Sequence, residues 1–126
     1  MKIEFKDQVG IITGAASGLG QAIALNLSKK GVKLALFDRD TNGLQKTRNL
    51  LAGESEIYVL DITNEAEVAE SINKVNDHFG RIDILVNKGY NKHQDIRFMQ
   101  LNDGRHDVPT WAKAFPGFLK WGWGNG

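Results

Sequence analysis

The 126-residue sequence contains no cysteine. Disulfides, thiolate catalysis and cysteine-ligated metals are thereby excluded. A surplus of charge is missing too: 16 basic residues stand against 15 acidic ones, a net charge of +1. That balance gives no basis for a nucleic-acid or an acidic partner. No apolar run reaches the roughly 20 residues that a membrane-spanning helix needs. The opening Met1-Lys2-Ile3-Glu4-Phe5-Lys6-Asp7 lacks the long apolar core of a signal peptide. A soluble, cytoplasmic protein is the expectation, with neither membrane nor nucleic acid as partner. His78, His93 and His106 are too scattered to suggest a metal site.

What the chain does have is one domain's worth of residues and an organising stretch, Val9-Gly10-Ile11-Ile12-Thr13-Gly14-Ala15-Ala16-Ser17-Gly18-Leu19-Gly20. A short apolar run ends in a glycine-rich turn, and a helical pattern follows at once. Backbone N–H groups of such a turn and of the helix's first turn converge on one place, where the helix dipole favours an anion. Glycine lets the backbone approach a diphosphate closely.

The rest alternates. Leu19, Ile23 and Leu27, with Ala22 beside them, fall on one helical face that Gly31 would cap. Val32 to Phe37 reads as a strand ending at Asp38. A helix from Asp40 or Thr41 carries Leu44, Leu50 and Leu51 and stops at Gly53. Ile57 to Leu60 reads as a third strand closed by Asp61. Thr63 or Asn64 caps a third helix with Val68, Ile72, Val75 and Phe79 at helical spacing, ended by Gly80. Ile82 to Val86 is the fourth strand. This βαβαβαβ pattern predicts a three-layer, Rossmann-like α/β fold with a parallel sheet in the order 3-2-1-4 and helices on both faces.

Asp38 ends the second strand about 18 residues beyond Gly20, near the interval expected for an acid on ribose hydroxyls. A carboxylate there accepts from the adenosine ribose and repels a 2′-phosphate. Ala15, Ala16 and Ser17 offer no basic side chain to offset that repulsion, so NAD is favoured over NADP. Arg39 is the one neighbour that argues the other way. Asp61 either terminates its strand or accepts the adenine amino group while Ile62 packs against the ring.

Together these residues resemble the short-chain dehydrogenase/reductase family over about residues 5–87. Thr13-Gly14-Ala15-Ala16-Ser17-Gly18-Leu19-Gly20 matches the family's cofactor loop, Asp38 its ribose acid, and Asp61-Ile62 its adenine contact. Arg81-Ile82-Asp83-Ile84-Leu85-Val86-Asn87 leads toward its Asn-Asn-Ala-Gly segment. The resemblance implies NAD(H) as cofactor. Gly14, Ser17, Gly18, Leu19 and Gly20 would hold the diphosphate, Asp38 the ribose, Asp61 and Ile62 the adenine. Asn87 would begin the nicotinamide-side ribose region. It also implies hydride transfer between NAD(H) and an alcohol or carbonyl.

The match stops at Asn87, where Lys88-Gly89-Tyr90 stands in place of Asn-Ala-Gly. The family's catalytic Tyr-x-x-x-Lys pair is absent: Tyr58 and Tyr90 are followed four residues later by Ile62 and Gln94. No catalytic position carries over, and this chain alone is expected to be inactive. Residues 1–87 therefore read as a dinucleotide-binding half, truncated before the family's second half, and residues 88–126 as a tail outside the family pattern. Within that tail no strand–helix alternation is legible. The fourth strand would then be an edge, covered by the tail through Trp111, Phe115, Phe118 and Trp121, or paired in a homo-oligomer. The alternatives to an enzyme fragment are a non-catalytic nucleotide-binding module and a protein-interaction module.

Overall fold

The computed structural model describes residues 5–16, 18–88 and 96–100, with residues 87, 88 and 96–100 described as backbone. In chain order the elements are β1 (Val9–Thr13), α1 (Gly18–Lys29), β2 (Lys33–Asp38), α2 (Thr41–Leu50), β3 (Ser55–Val59), α3 (Glu65–Phe79), β4 (Ile84–Lys88) and β5 (Ile96–Gln100). The strands lie side by side as β3-β2-β1-β4-β5. β1 runs parallel to both β2 and β4, and β2 runs parallel to β3. The order 3-2-1-4 is therefore present, with one strand added.

Two cores follow from the two-residue period of a strand. Val9, Ile11, Ala35, Phe37 and Leu85 face one way and pack with Val68, Ile72 and Val75 of α3. Ile12, Leu34, Leu36, Ile84 and Val86 face the other way and pack with Ala24 and Leu27 of α1 and Leu44 of α2. A strand covered on both faces must be apolar throughout, which is why these segments read as unbroken apolar runs. Each fully buried Leu, Ile or Phe contributes about 1.5–3 kcal/mol. The helices start and stop on local signals. The Asp40 carboxylate accepts from Gly43 N at 3.0 Å and caps α2. The Asn64 side chain accepts from Glu67 N at 3.1 Å and caps α3. Gly80, at φ 82°, ends α3.

Several expectations are corrected. The buried residues of α1 are Gly20, Ala24, Leu27 and Ser28, and Leu19 is 45% exposed. The helix is rotated so that Gly20, Ala24 and Leu27 face inward with Ile23 packed beside them, while Ala22 is exposed. Leu50 is 55% exposed at the end of α2, whose buried face is Gly43, Leu44 and Thr47. β3 begins at Ser55, two positions before the apolar run, because it pairs from there with Leu34 of β2. The fourth strand also runs later than expected, to Lys88.

The largest departure is β5. It pairs antiparallel with β4, Val86 opposite Phe98 and Leu85 opposite Met99. An antiparallel neighbour needs no helical crossover, so no helical periodicity precedes it to announce it. The edge of β4 is thus taken by the same chain rather than left for a second copy. Trp111, Phe115, Phe118 and Trp121 lie outside the described residues.

At the amino end of the sheet, Asp83 is 2% exposed. Its Oδ2 accepts from Val9 N at 2.9 Å and from Arg81 Nε at 2.8 Å, and its Oδ1 accepts from Arg81 Nη2 at 2.8 Å. Asp83 N in turn donates to Val9 O at 2.8 Å. The carboxylate thus acts as one more rung between β1 and β4 at the point where β4 begins. Truncation leaves the Val9 N–H buried without this acceptor, while the half-exposed guanidinium turns to water. Asp83→Ala is expected to lower stability by about 2–3 kcal/mol, read as a lower urea midpoint with an unchanged slope.

Candidate functional site

β1 delivers the glycine-rich turn to the carboxyl edge of the sheet, between β2 and β4. Thr13, buried, ends the strand with its hydroxyl 3.5 Å from Val86 O. Gly14 and Gly18 take φ of 65° and 58°, left-handed values that side chains resist. Among the described residues, a Cβ on Gly18 would meet nothing within 4 Å, which leaves space before the first turn of α1. At Gly20 the reverse holds. A Cβ there would lie 2.1 Å from Gly14 O, so α1 sits against the turn only because this residue has no side chain. The first turn of α1 carries no acidic residue, and the positive end of a helix suits an anion. Leu19 presents an exposed apolar side chain at the same place. Ser17 lies outside the described residues.

Two N–H groups of the turn are already engaged. Ala15 N donates to Phe37 O at 3.2 Å, and Ala16 N donates to Asp38 Oδ2 at 3.1 Å. The turn is thereby tied to the end of β2. Asp38, at the end of β2, is half-buried. Its Oδ1 accepts from Arg39 N at 2.7 Å and Asp40 N at 3.1 Å. A carboxylate has about four lone-pair sites; among the described residues three are filled, and the remaining one is on Oδ2. Leu60 N donates to Asp38 O at 3.0 Å, which brings the end of β3 alongside.

Asp61 follows β3. Its Oδ1 accepts from Thr63 Oγ1 at 2.6 Å and Thr63 N at 3.0 Å. The Thr63 side chain, then its backbone, hold the carboxyl below the ordinary carboxylate range, with a smaller contribution from the Arg39 guanidinium. Ile62 is 4% exposed and belongs to the core on the α3 side. Its side chain is spent there and not left open for a ring. Asn87 lies in β4 opposite Arg97; its side chain is outside the described residues. The turn, Asp38 and Asp61 thus end adjacent strands β1, β2 and β3 along one edge. Tyr58 lies within β3, where burial, and secondarily Glu56, push its phenol up. That is opposite to the lowered value a proton-transferring tyrosine needs at neutral pH.

Three residues of this region escape a reading of the sequence. Gly43 packs so closely on the turn that a Cβ would lie 2.7 Å from Ala16 Cβ and 2.9 Å from Ala16 O. Thr47, fully buried, donates from Oγ1 to Ala15 O at 2.7 Å and accepts from Gln21 Nε2 at 2.9 Å. The signal was available in the helical period. Gly43, Leu44 and Thr47 share one face of α2, and a threonine on a buried helical face requires a partner.

The chain matches the family model described as short chain dehydrogenase over residues 8–107, a span that takes in β5. It is 41% identical over 114 residues to SadH of Mycobacterium tuberculosis, an oxidoreductase by its description, covering 86% of this chain and 41% of that protein. Among solved structures it is similar to an NAD+-bound xylitol dehydrogenase, with a TM-score of 0.66 and 35% identity over 70% of this chain and 35% of the other. A metagenomic short-chain oxidoreductase in complex with NADP gives a TM-score of 0.61 and 31% identity over 66% of this chain and 39% of the other. The chain spans between 30% and 41% of the length of these and the other curated relatives it matches.

Gly20→Ala must displace α1 from the turn and is expected to cost about 3 kcal/mol or more. Gly18→Ala, with open space but a left-handed backbone, should cost only about 1–2 kcal/mol; urea unfolding of the two variants distinguishes them. Because the Asp61 pKa is depressed in the folded chain, its stabilisation holds above the unfolded carboxylate value and is lost as pH falls through the folded one. Thr63→Val removes the larger of the two hydrogen-bond contributions, so the Asp61 titration followed by carboxyl-carbon NMR should move up toward the ordinary range.

Proposed function

The chain belongs to the short-chain dehydrogenase family, and on that premise we propose that it binds NAD(H) across the carboxyl ends of β1, β2 and β3. The observation that carries this reading is the pairing of open space before Gly18, at the positive end of α1, with the Asp38 carboxylate at the neighbouring strand end. Gly14, Gly18, Leu19 and Gly20, with Ser17, would border the diphosphate, and the N–H groups of α1 would hold it. Asp38 Oδ2, the oxygen with a lone pair remaining, accepts a hydroxyl of the adenosine ribose and repels a 2′-phosphate. Asp61 accepts the adenine amino group, with the backbone of Ile62 beside it. Asn87 begins the surface toward the second ribose.

When bound, NAD(H) supplies a hydride donor or acceptor at nicotinamide C4. The family's exchange of that hydride with an alcohol or carbonyl requires a proton-transferring tyrosine and its lysine. Neither Tyr58 nor Tyr90 has a lysine four residues on, so this chain alone holds the cofactor without turning it over. The whole protein's reaction, by the same reading, is an NAD-dependent oxidation or reduction.

Calorimetric titration with NADH and NADPH tests this. NADH is expected to bind more tightly than NADPH, and Asp38→Ala to weaken NADH by about 1–3 kcal/mol while changing NADPH less. Absence of heat for both coenzymes overturns the reading. A preference for NADPH overturns the sugar selection and shifts the role to the exposed Arg39. NADH oxidation by this chain on a panel of ketones and aldehydes overturns the expectation of inactivity.

A further inference from the structure

One peptide unit joins α2 to the acid at the end of β2. The carbonyl oxygen of Ala15 accepts from Thr47 Oγ1 at 2.7 Å, and the N–H of Ala16 donates to Asp38 Oδ2 at 3.1 Å. These are the two polar ends of the same planar group, so rotation of one is rotation of the other. The Thr47 hydroxyl is itself oriented, since Gln21 Nε2 donates to it at 2.9 Å and directs its hydrogen toward Ala15. Gly43 closes the remaining freedom by packing on Ala16. On the other oxygen, Arg39 N and Asp40 N hold Oδ1.

We propose that Thr47 is a specificity-positioning residue: through the Ala15–Ala16 peptide it aims the Asp38 oxygen that discriminates a ribose hydroxyl from a ribose phosphate. The relay ends on Oδ2, the one oxygen with a lone pair left for a sugar. Thr47 itself touches no ligand and acts only through Ala16. This inference rests on the cofactor reading above. It goes beyond it by placing part of the control of coenzyme choice on a buried threonine of α2, away from the strand ends.

The test compares wild type, Thr47→Val and Thr47→Ser, measuring affinities for NADH and NADPH and the hydrogen exchange of the Ala16 amide. Thr47→Val keeps shape and removes the hydroxyl. It is expected to cut the NADH-over-NADPH preference about fivefold, the equivalent of one ordinary hydrogen bond, and to speed Ala16 exchange. Thr47→Ser should retain both properties. If Thr47→Val does not fold, Gln21→Met, which releases the threonine hydroxyl, should reduce the preference in the same direction. A Thr47→Val protein that weakens both coenzymes by the same factor has lost only structure, and this overturns the inference. So does an unchanged preference. Wild type that binds neither coenzyme overturns the cofactor reading itself, whereas a wild type that discriminates beside a variant that discriminates equally overturns the inference alone.

Discussion

The near-contact of Gly20 with Gly14 is the constraint on which the site depends. With 2.1 Å between a would-be Cβ and the Gly14 carbonyl oxygen, α1 can approach the end of β1 only as a bare backbone. That approach brings the amino end of the helix to the sheet's carboxyl edge, where a Cβ on Gly18 would meet nothing within 4 Å among the described residues. It also leaves the turn too short to satisfy its own polar groups. Ala15 and Ala16 therefore bond to Phe37 and Asp38, and β2 becomes part of the same assembly. A single missing side chain thus sets the distance between the amino end of a helix and a carboxylate.

The two halves of that assembly are stabilised differently. The sheet is held by apolar burial on both faces, which is insensitive to direction. The turn is held by a few directional bonds, from Thr47, Ala15 and Ala16, whose geometry decides where charge sits. Loss of a core methyl group weakens the whole domain. Loss of the Thr47 hydroxyl removes one directional bond from the turn, the one to Ala15 O.

Much of this was legible in the sequence. The strand–turn–helix from Val9 to Gly20, the acid at Asp38 and the capped helix from Asn64 to Gly80 announce themselves through residue types that only those conformations favour. The order of four parallel strands follows from the handedness of their crossovers. Other features are silent for physical reasons. Leu19 and Leu50 look like core by periodicity and are exposed, because the buried face of α1 runs through Gly20, Ala24 and Leu27 and that of α2 through Gly43, Leu44 and Thr47. β5 follows no helical crossover, so the alternation that reveals the other strands has nothing to say about it. Ile62 reads as a ring contact by its place beside Asp61, but its side chain serves the α3-side core. Thr47 is visible only once helical phase shows that it must be buried.

The clasp of Arg81 and Asp83 on Val9 lies at the opposite end of β1 from the glycine-rich turn. Between the clasp and the turn the two strands are joined by the parallel ladder, Gly10 opposite Ile84 through Ile12 opposite Val86. At the far end of that ladder Thr13 Oγ1 donates to Val86 O at 3.5 Å. That clasp stands about 13 Å from the turn, four residue steps at the rise of a strand, and yet it fixes the register that decides which residues β4 delivers there.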